Sequence, residues 1–207
     1  MAKIHPKTSM IGSSCHEYSS SEREVFTVWM KSLVISSNGC TVFNSKGDIV
    51  FRVDNYQTRR STEILLMDYN GQVLFSIKRK KSLIFRSWEV YKCVNSKFDD
   101  GEGEWFQVKR ECRIPRRGMI TCHVILGCNK TIGIGNCSYK IVGLQGKQTV
   151  KITDRAGRVL AEVMQKQSQA GGVSLGDDVL SLTVEPQMDQ SLIMALVIVY
   201  GMINHKL

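Results

Sequence analysis

The stretch Leu192–Ile203 reads LIMALVIVYGMI; it carries no charged residue and shows no polar face. A helical segment that is apolar on all sides has to be buried on all sides. Crossing a bilayer takes about 20 apolar residues, so this run of 12 is too short to be a membrane span. The stretch therefore predicts a buried element that the rest of the chain encloses.

The same stretch carries the signals of an α-helix. Pro186 can end the preceding secondary-structure element. Asp189 is a residue type that caps helix N-termini, where its negative charge also interacts favourably with the helix dipole. The β-branched run Val197–Val199 favours a buried strand instead, but the length of the segment favours the helix. The predicted structural helix plug comprises Asp189, Leu192, Ile193, Leu196, Val197, Val199 and Tyr200.

The composition of the 207 residues fits one large domain, because 43% are hydrophobic and only 3 are proline. Residues 1–24 are rich in serine and lack periodicity, which predicts a mobile tail, and residues 25–207 are predicted to form a single domain. The net charge of +9 indicates attraction to an anionic partner, either lipid headgroups or nucleic acid.

The seven cysteines are an odd number and include no C-x-x-C pair, which argues against a zinc site and a disulfide framework. No apolar stretch near the first residue has the form of a secretory signal, so buried thiols in a reducing compartment are expected. We predict an intracellular protein, in the cytoplasm, at a membrane surface or in the nucleus, that is not secreted and has no transmembrane segment.

A unit of strand, turn and strand recurs at 43–51, 67–75 and 152–160. Glycine supplies the positive φ that such a turn needs, and Asp or Asn closes the turn through its own side chain. Three copies predict a meander. Repeated strands with turn signals between them predict an all-β sandwich or barrel. Because a wide barrel cannot be filled by its own side chains, we predict a closed barrel of about twelve strands around the C-terminal helix.

Four motifs make the chain resemble a known plant family. They are Val28–Leu33 (VWMKSL), Thr41–Tyr56 (TVFNSKGDIVFRVDNY), Trp88–Tyr91 (WEVY) and Asp189–Leu196 (DQSLIMAL). In this order they are similar to the LURP-one-related family. The resemblance implies a tubby-like fold, a barrel around a central C-terminal helix that tubby C-terminal domains and phospholipid scramblases share.

The family has no settled biochemical activity, so the resemblance implies a fold more strongly than a function. Tubby domains bind phosphoinositide headgroups and can tether a transcription regulator to the membrane, and a role in plant defence is implied by the family name. The scramblases carry a cysteine cluster, whose absence from this chain argues against lipid scrambling.

Two basic runs provide candidate contacts for anionic lipid. The first run is Lys78, Arg79, Lys80 and Lys81 with Arg86, and the second comprises Lys109, Arg110, Arg113, Arg116 and Arg117. The candidate contacts are all residues of the first run and Arg113, Arg116 and Arg117 of the second. Each Lys or Arg near an anionic bilayer contributes about 1 kcal/mol, although a solvated protein face shows the same pattern. No zinc-finger, helix-turn-helix or RNA-recognition motif accompanies the charge, so specific nucleic-acid binding is not expected.

One formal catalytic motif is present, Gly172–Gly176 (GVSLG), which fits a nucleophile elbow centred on Ser174. An elbow needs a strand before the serine and a helix after it, whereas here a polar segment precedes and the strand-like Val179–Val184 follows. The scattered histidines offer no metal or catalytic cluster. We predict a protein that is not an enzyme and that uses no cofactor or metal.

The sequence thus predicts a monomeric interaction module that binds a phosphoinositide or another anionic membrane surface, or else protein partners. Two alternatives stay open. One is a serine hydrolase that uses Ser174, and the other is a protein-binding scaffold that is independent of lipid.

Overall fold

The computed structural model describes residues 18–30, 39–57, 62–80, 87–94, 97–98, 105–111, 118–126, 138–144, 149–167, 176 and 178–204. In these ranges thirteen strands precede one helix. The strands are β1 (Glu24–Trp29), β2 (Gly39–Phe43), β3 (Ile49–Gln57), β4 (Thr62–Asp68), β5 (Val73–Lys80), β6 (Ser87–Val94), β7 (Lys97–Phe98), β8 (Phe106–Arg110), β9 (Met119–Leu126), β10 (Tyr139–Leu144), β11 (Val150–Asp154), β12 (Val159–Gln165) and β13 (Val179–Val184), and the helix is α1 (Gln190–Ile203).

Twelve of the described strands form a closed antiparallel ring. From β1 to β6 and from β8 to β13 each strand pairs with the next, while β6 pairs with β8 and leaves the two-residue β7 at the side. The ring closes where β13 returns to pair with β1. The predicted meander and the predicted closed barrel of about twelve strands around a C-terminal helix are therefore confirmed.

The three predicted hairpin turns share one hydrogen-bond pattern. The side-chain oxygen of the first turn residue accepts the backbone N–H four residues later, at 2.9, 2.8 and 2.9 Å. The fourth residue is a glycine with φ between 83° and 88°, a conformation that other residues rarely adopt. The first residue and the glycine are Asn44 and Gly47, Asp68 and Gly71, and Asp154 and Gly157.

Helix α1 fills the barrel. Eleven of its 14 residues are buried, and Leu196 has no exposed surface. Its side chains join the inward-facing side chains of the strands in one hydrophobic core. Asp189 is the N-cap, and its carboxylate accepts the backbone N–H groups of Ser191 and Leu192 at 2.9 and 3.1 Å. Among the predicted plug residues, Asp189 and Val197 are half-buried and the other five are buried.

A close approach to β10 fixes the last turns of α1. The Tyr200 hydroxyl lies against Gly143, where a Cβ atom would overlap with it. Burial raises the pKa of Tyr200 above its ordinary value of 10. Asn204 lies beside the hydroxyl, but no described residue makes a well-aligned hydrogen bond with it. Tyr200 therefore occupies a tightly fitted site inside the barrel.

The alternating strand directions give the barrel two different ends. The three Asx-Gly turns and the start of α1 lie at one end, which we call the turn end. Strands β5, β8 and β10 run toward the other end, where α1 finishes beside Gly143. Each described turn and strand terminus can thus be assigned to an end from its place in the meander.

The chain before β1 contacts the turn end. Ser19 forms an antiparallel bridge with Asp189, and the carbonyl oxygen of Tyr18 accepts the backbone N–H of Gln190 at 2.9 Å. Tyr18 and Ser19, which belong to the segment predicted as a mobile tail, therefore contact the start of α1. Residues 1–17 lie outside the described residues.

Candidate functional site

Apolar side chains occupy the interior of the barrel. The largest fully buried side chains of the strands include Phe51, Phe75 and Phe106, and they belong to the same core as α1. Protein cores of this kind are close-packed, so the helix takes the volume in which an open barrel would bind a small molecule. A functional site has therefore to be sought on the outer surface and at the two ends.

The three cysteines in the described ranges are buried free thiols. Burial raises the pKa of Cys40 and Cys122 to about 12 and that of Cys93 to about 11. Asp54 raises the pKa of Cys40 further, whereas Arg110 opposes the effect of burial at Cys122. Reactive cysteines need a lowered pKa, so these three are structural. The cysteines at positions 15, 112, 128 and 137 lie outside the described residues.

The two basic runs reach the same end of the barrel. Lys78, Arg79 and Lys80 are the last three residues of β5, and Lys109 and Arg110 are the last two of β8. One residue of β6 aligns with both Lys80 and Lys109, so their backbone positions are two strand spacings, or about 10 Å, apart. We call the surface formed by these five cations the basic end. It lies opposite the turn end.

Carboxylates hold two of these cations. Lys78 Nζ lies 3.4 Å from Glu63 Oε1 on β4, and Lys80 Nζ lies 2.6 Å from Glu89 Oε1 on β6. Lys78 Nζ also lies 5.4 Å from the centroid of the Tyr91 ring. Partly exposed ion pairs of this kind contribute at most about 1 kcal/mol to stability. They nevertheless reduce the positive field that Lys78 and Lys80 present to an external anion.

Arg79 and Lys109 form no ion pair within the described ranges. Arg79 is exposed and continues the inward-facing series of Phe75 and Ile77, which places it at the rim of the barrel. Lys109 is half-buried on the outer face of β8. These two cations are therefore the members of the basic end that are best placed to meet an external anion.

His123 continues the row of basic residues onto β9. It aligns with Lys109 on one side and with Lys140 of β10 on the other. Its Nε2 lies 3.8 Å from Glu111 Oε2, and its buried Nδ1 has no hydrogen-bond partner among the described residues. No local sequence pattern connects the scattered histidines with the basic runs, because the alignment exists only in the folded sheet.

An exposed apolar pair lies next to the basic end. Met119 is the first residue of β9 and aligns with Leu144, the last residue of β10. The exposed fractions are 45% for Met119 and 36% for Leu144. Single apolar residues at strand ends carry no periodic signal, which is why the sequence did not indicate this pair.

Several predicted site residues lie outside the described residues: Lys81, Arg86, Arg113, Arg116, Arg117 and Ser174. Within the described ranges, no group of His, Cys, Asp and Glu side chains is arranged to hold a metal ion. In the same ranges, no helix is both long enough and apolar enough to cross a bilayer.

Comparison with known proteins relates most of the chain to one family. Residues 24–201 match the family model described as LURP-one-related. Protein LURP-one-related 3 of Arabidopsis thaliana is 40% identical over 215 residues, covering 100% of this chain and 94% of that protein. Protein LURP-one-related 8 of the same plant is 37% identical and covers 96% of each chain.

A solved structure shares the fold. The X-ray structure of an Arabidopsis thaliana protein matches with a TM-score of 0.64, covering 90% of this chain and 94% of that chain. The two sequences are 18% identical, so this likeness concerns the fold alone.

Proposed function

The chain belongs to the LURP-one-related family, and we propose that it is a non-enzymatic interaction module that binds anionic phospholipid headgroups, phosphoinositides included, through its basic end. In this role the barrel is a monomer that tethers a regulator to a membrane surface, as the resemblance to tubby domains implies, and acts in plant defence. The names of the relatives state no activity, so the support comes from the geometry of this chain.

The convergence of the two basic runs carries the proposal. Lys78–Lys80 and Lys109–Arg110 are separated by about 30 residues in the sequence but by a single strand in the barrel. A cluster of 4–8 Lys or Arg residues is the pattern by which proteins recognise anionic lipid. The packed interior supports the non-enzymatic part of the proposal, because it directs binding to the surface.

The ion pairs of the basic end indicate a modest, salt-dependent affinity. Each cation close to an anionic bilayer contributes about 1 kcal/mol to binding. The ion pairs with Glu63 and Glu89 reduce the contributions of Lys78 and Lys80. Exposed charges are screened over about 10 Å at 0.1 M salt. Arg79 and Lys109 should therefore carry most of the electrostatic attraction.

Vesicle sedimentation tests this proposal. The full chain is incubated at low salt with vesicles of phosphatidylcholine alone, with added phosphatidylserine, and with added phosphoinositide. The double variant Arg79→Ala/Lys109→Ala is compared with Lys46→Ala/Arg155→Ala, which removes the same charge at the turn end. We expect binding to both anionic vesicles, weakened only by the first double variant. Failure of the wild-type chain to bind anionic vesicles at low salt would refute the proposal.

The two alternatives predict other results. A lipid-independent scaffold would retain protein partners in a pull-down that neither salt nor vesicles disturb. A hydrolase that uses Ser174 would be labelled by a fluorophosphonate probe, and the label would be lost in Ser174→Ala. Either result, together with absent vesicle binding, would replace the membrane proposal.

A further inference from the structure

The position of the exposed apolar pair points to a defined docking orientation, which rests on the membrane binding proposed above. We infer that the barrel docks on an anionic bilayer with its basic end facing the lipid, and that Met119 and Leu144 insert between the headgroups. The partner is a lipid surface rather than a protein groove or a soluble phosphate.

The geometry of the pair suits shallow insertion. Met119 and Leu144 face each other across the β9–β10 ladder, and directly opposite side chains in a sheet have Cβ atoms about 5 Å apart. They form one small apolar surface at the end of two strands. Both residues lie on the outer face, because their ladder neighbours Ile120 and Gly143 are buried in the alternate register.

The charges around the pair decide in favour of a bilayer. Strand β8 is the neighbour of β9 and ends with Lys109 and Arg110 at the same end of the barrel. Glu111 follows them, and its backbone N–H donates to the carbonyl oxygen of Thr121, two residues from Met119. Its carboxylate is directed toward His123, with Oε2 3.8 Å from His123 Nε2, and so toward the side of β9 away from Met119. Arg110 aligns with Cys122, three residues or about 10 Å along β9 from Met119. Cations at that distance from exposed apolar side chains match the headgroup layer, where anionic phosphates lie next to hydrocarbon.

The other exposed apolar side chains lack this setting. Tyr69 is 67% exposed at the turn end beside Asp68, and Val159 is 40% exposed there beside the Asp154–Arg158 ion pair. Val25 is 46% exposed near the start of β1, also at the turn end, and Met164 is 49% exposed near the end of β12, which three strands separate from β8. Carboxylates are repelled by an anionic surface. Within the described ranges, the Met119–Leu144 pair is thus the exposed apolar surface that adjoins the basic end.

Two double variants test the orientation. Met119→Ser/Leu144→Ser removes the proposed insertion, and Tyr69→Ser/Val159→Ser removes comparable exposed apolar groups at the opposite end. We expect the first double variant to lower the vesicle partition coefficient about tenfold, given the apolar area withdrawn from water. The second should bind like the wild-type chain. Circular dichroism and urea unfolding establish that both variants are folded.

A spectroscopic measurement detects insertion directly. The protein is labelled with 13C in its methionine methyl groups and bound to phosphatidylserine vesicles that contain a lipid with a nitroxide on its headgroup. The Met119 signal, assigned from Met119→Leu, should be broadened. The signal of Met188, which lies at the turn end next to the helix N-cap, serves as the internal reference and should be broadened less.

The outcomes separate the two proposals. If the wild-type chain binds no anionic vesicle, the membrane function and the orientation both fail. If Arg79→Ala/Lys109→Ala weakens binding but Met119→Ser/Leu144→Ser does not, and the Met119 signal is unchanged, the orientation is wrong and the membrane function stands. Equal losses in the two apolar double variants would also overturn the orientation.

Discussion

Substituting Gly143 by alanine tests whether α1 lies inside the barrel at the depth described. In the interior of a strand, glycine is less favourable than alanine by about 0.5–1 kcal/mol, so such a change ordinarily stabilises a protein. At this position the new Cβ atom would overlap with the Tyr200 ring and hydroxyl and would lie 3.0 Å from the carbonyl oxygen of Thr149. The expected sign of the effect is therefore reversed.

The magnitude follows from the inability of either side to move away. Gly143 is held in ladders on both sides, by Ile120 and Val150, and the Tyr200 side chain is enclosed with 5% exposure. Overpacking a core costs about 1–3 kcal/mol, which exceeds the gain expected from removing a glycine. We expect Gly143→Ala to lower the free energy of unfolding by about 1–2 kcal/mol.

Urea unfolding followed by tryptophan fluorescence measures this change, with an unchanged denaturant slope as the check that only stability differs. The matched background is Tyr200→Leu, which lacks the atoms that meet the new methyl group. There the alanine should be neutral or stabilising, so the double-mutant cycle should give a coupling free energy above about 1 kcal/mol. A stabilising effect of Gly143→Ala in both backgrounds would show that Tyr200 does not occupy this site.

Three further predictions concern the helix and the turn end. Leu196→Lys should abolish soluble folding, since an unpaired buried charge has no compensation; folded, soluble protein by circular dichroism would contradict a helix inside the barrel. Asp189→Ala should lower the free energy of unfolding in urea by about 1 kcal/mol, while Asp189→Asn retains the cap. A hydrogen bond from Arg158 holds the pKa of Asp154 below its ordinary value of 3.8, so the stability it adds is present above pH 3.8 and is lost as the pH falls through the lowered pKa. In Arg158→Ala, the midpoint of the Asp154 carboxyl titration, followed by NMR, should shift to higher pH. An unchanged midpoint would contradict this.

The fold could be predicted from the sequence because its main signals are local. The run Leu192–Ile203 contains no charged residue, and an N-cap residue precedes it. The presence of a helix, its burial and the position of its first turn can therefore be inferred together. The hairpin turns are equally local, because five consecutive residues contain both the closing side chain and the glycine. Closure of the barrel follows from the helix and the hairpins, since a helix that is buried on all sides has to be surrounded by strands.

The candidate site could be predicted only in part, because it depends on strands that are distant in the chain. The sequence indicated the basic runs but not their meeting, which results from β5 and β8 running in the same direction on either side of β6. It also did not indicate that Glu63 and Glu89 would hold Lys78 and Lys80, because those carboxylates belong to neighbouring strands. Cross-strand partners of this kind are set by register and not by local pattern.

Compensation of charge within the protein explains why the electrostatic part of membrane binding is expected to be modest. Helix α1 finishes at the basic end, and a helix C-terminus carries a partial negative charge; Arg110 lies close enough to Tyr200 to lower the pKa of its hydroxyl against the effect of burial. Part of the positive charge is thus compensated within the protein, as it is at Lys78 and Lys80. Binding that rests on Arg79 and Lys109 should be lost in high salt, whereas insertion of an apolar pair is insensitive to screening. Among the described residues of the basic end, affinity that persists at high salt would therefore be assigned to Met119 and Leu144.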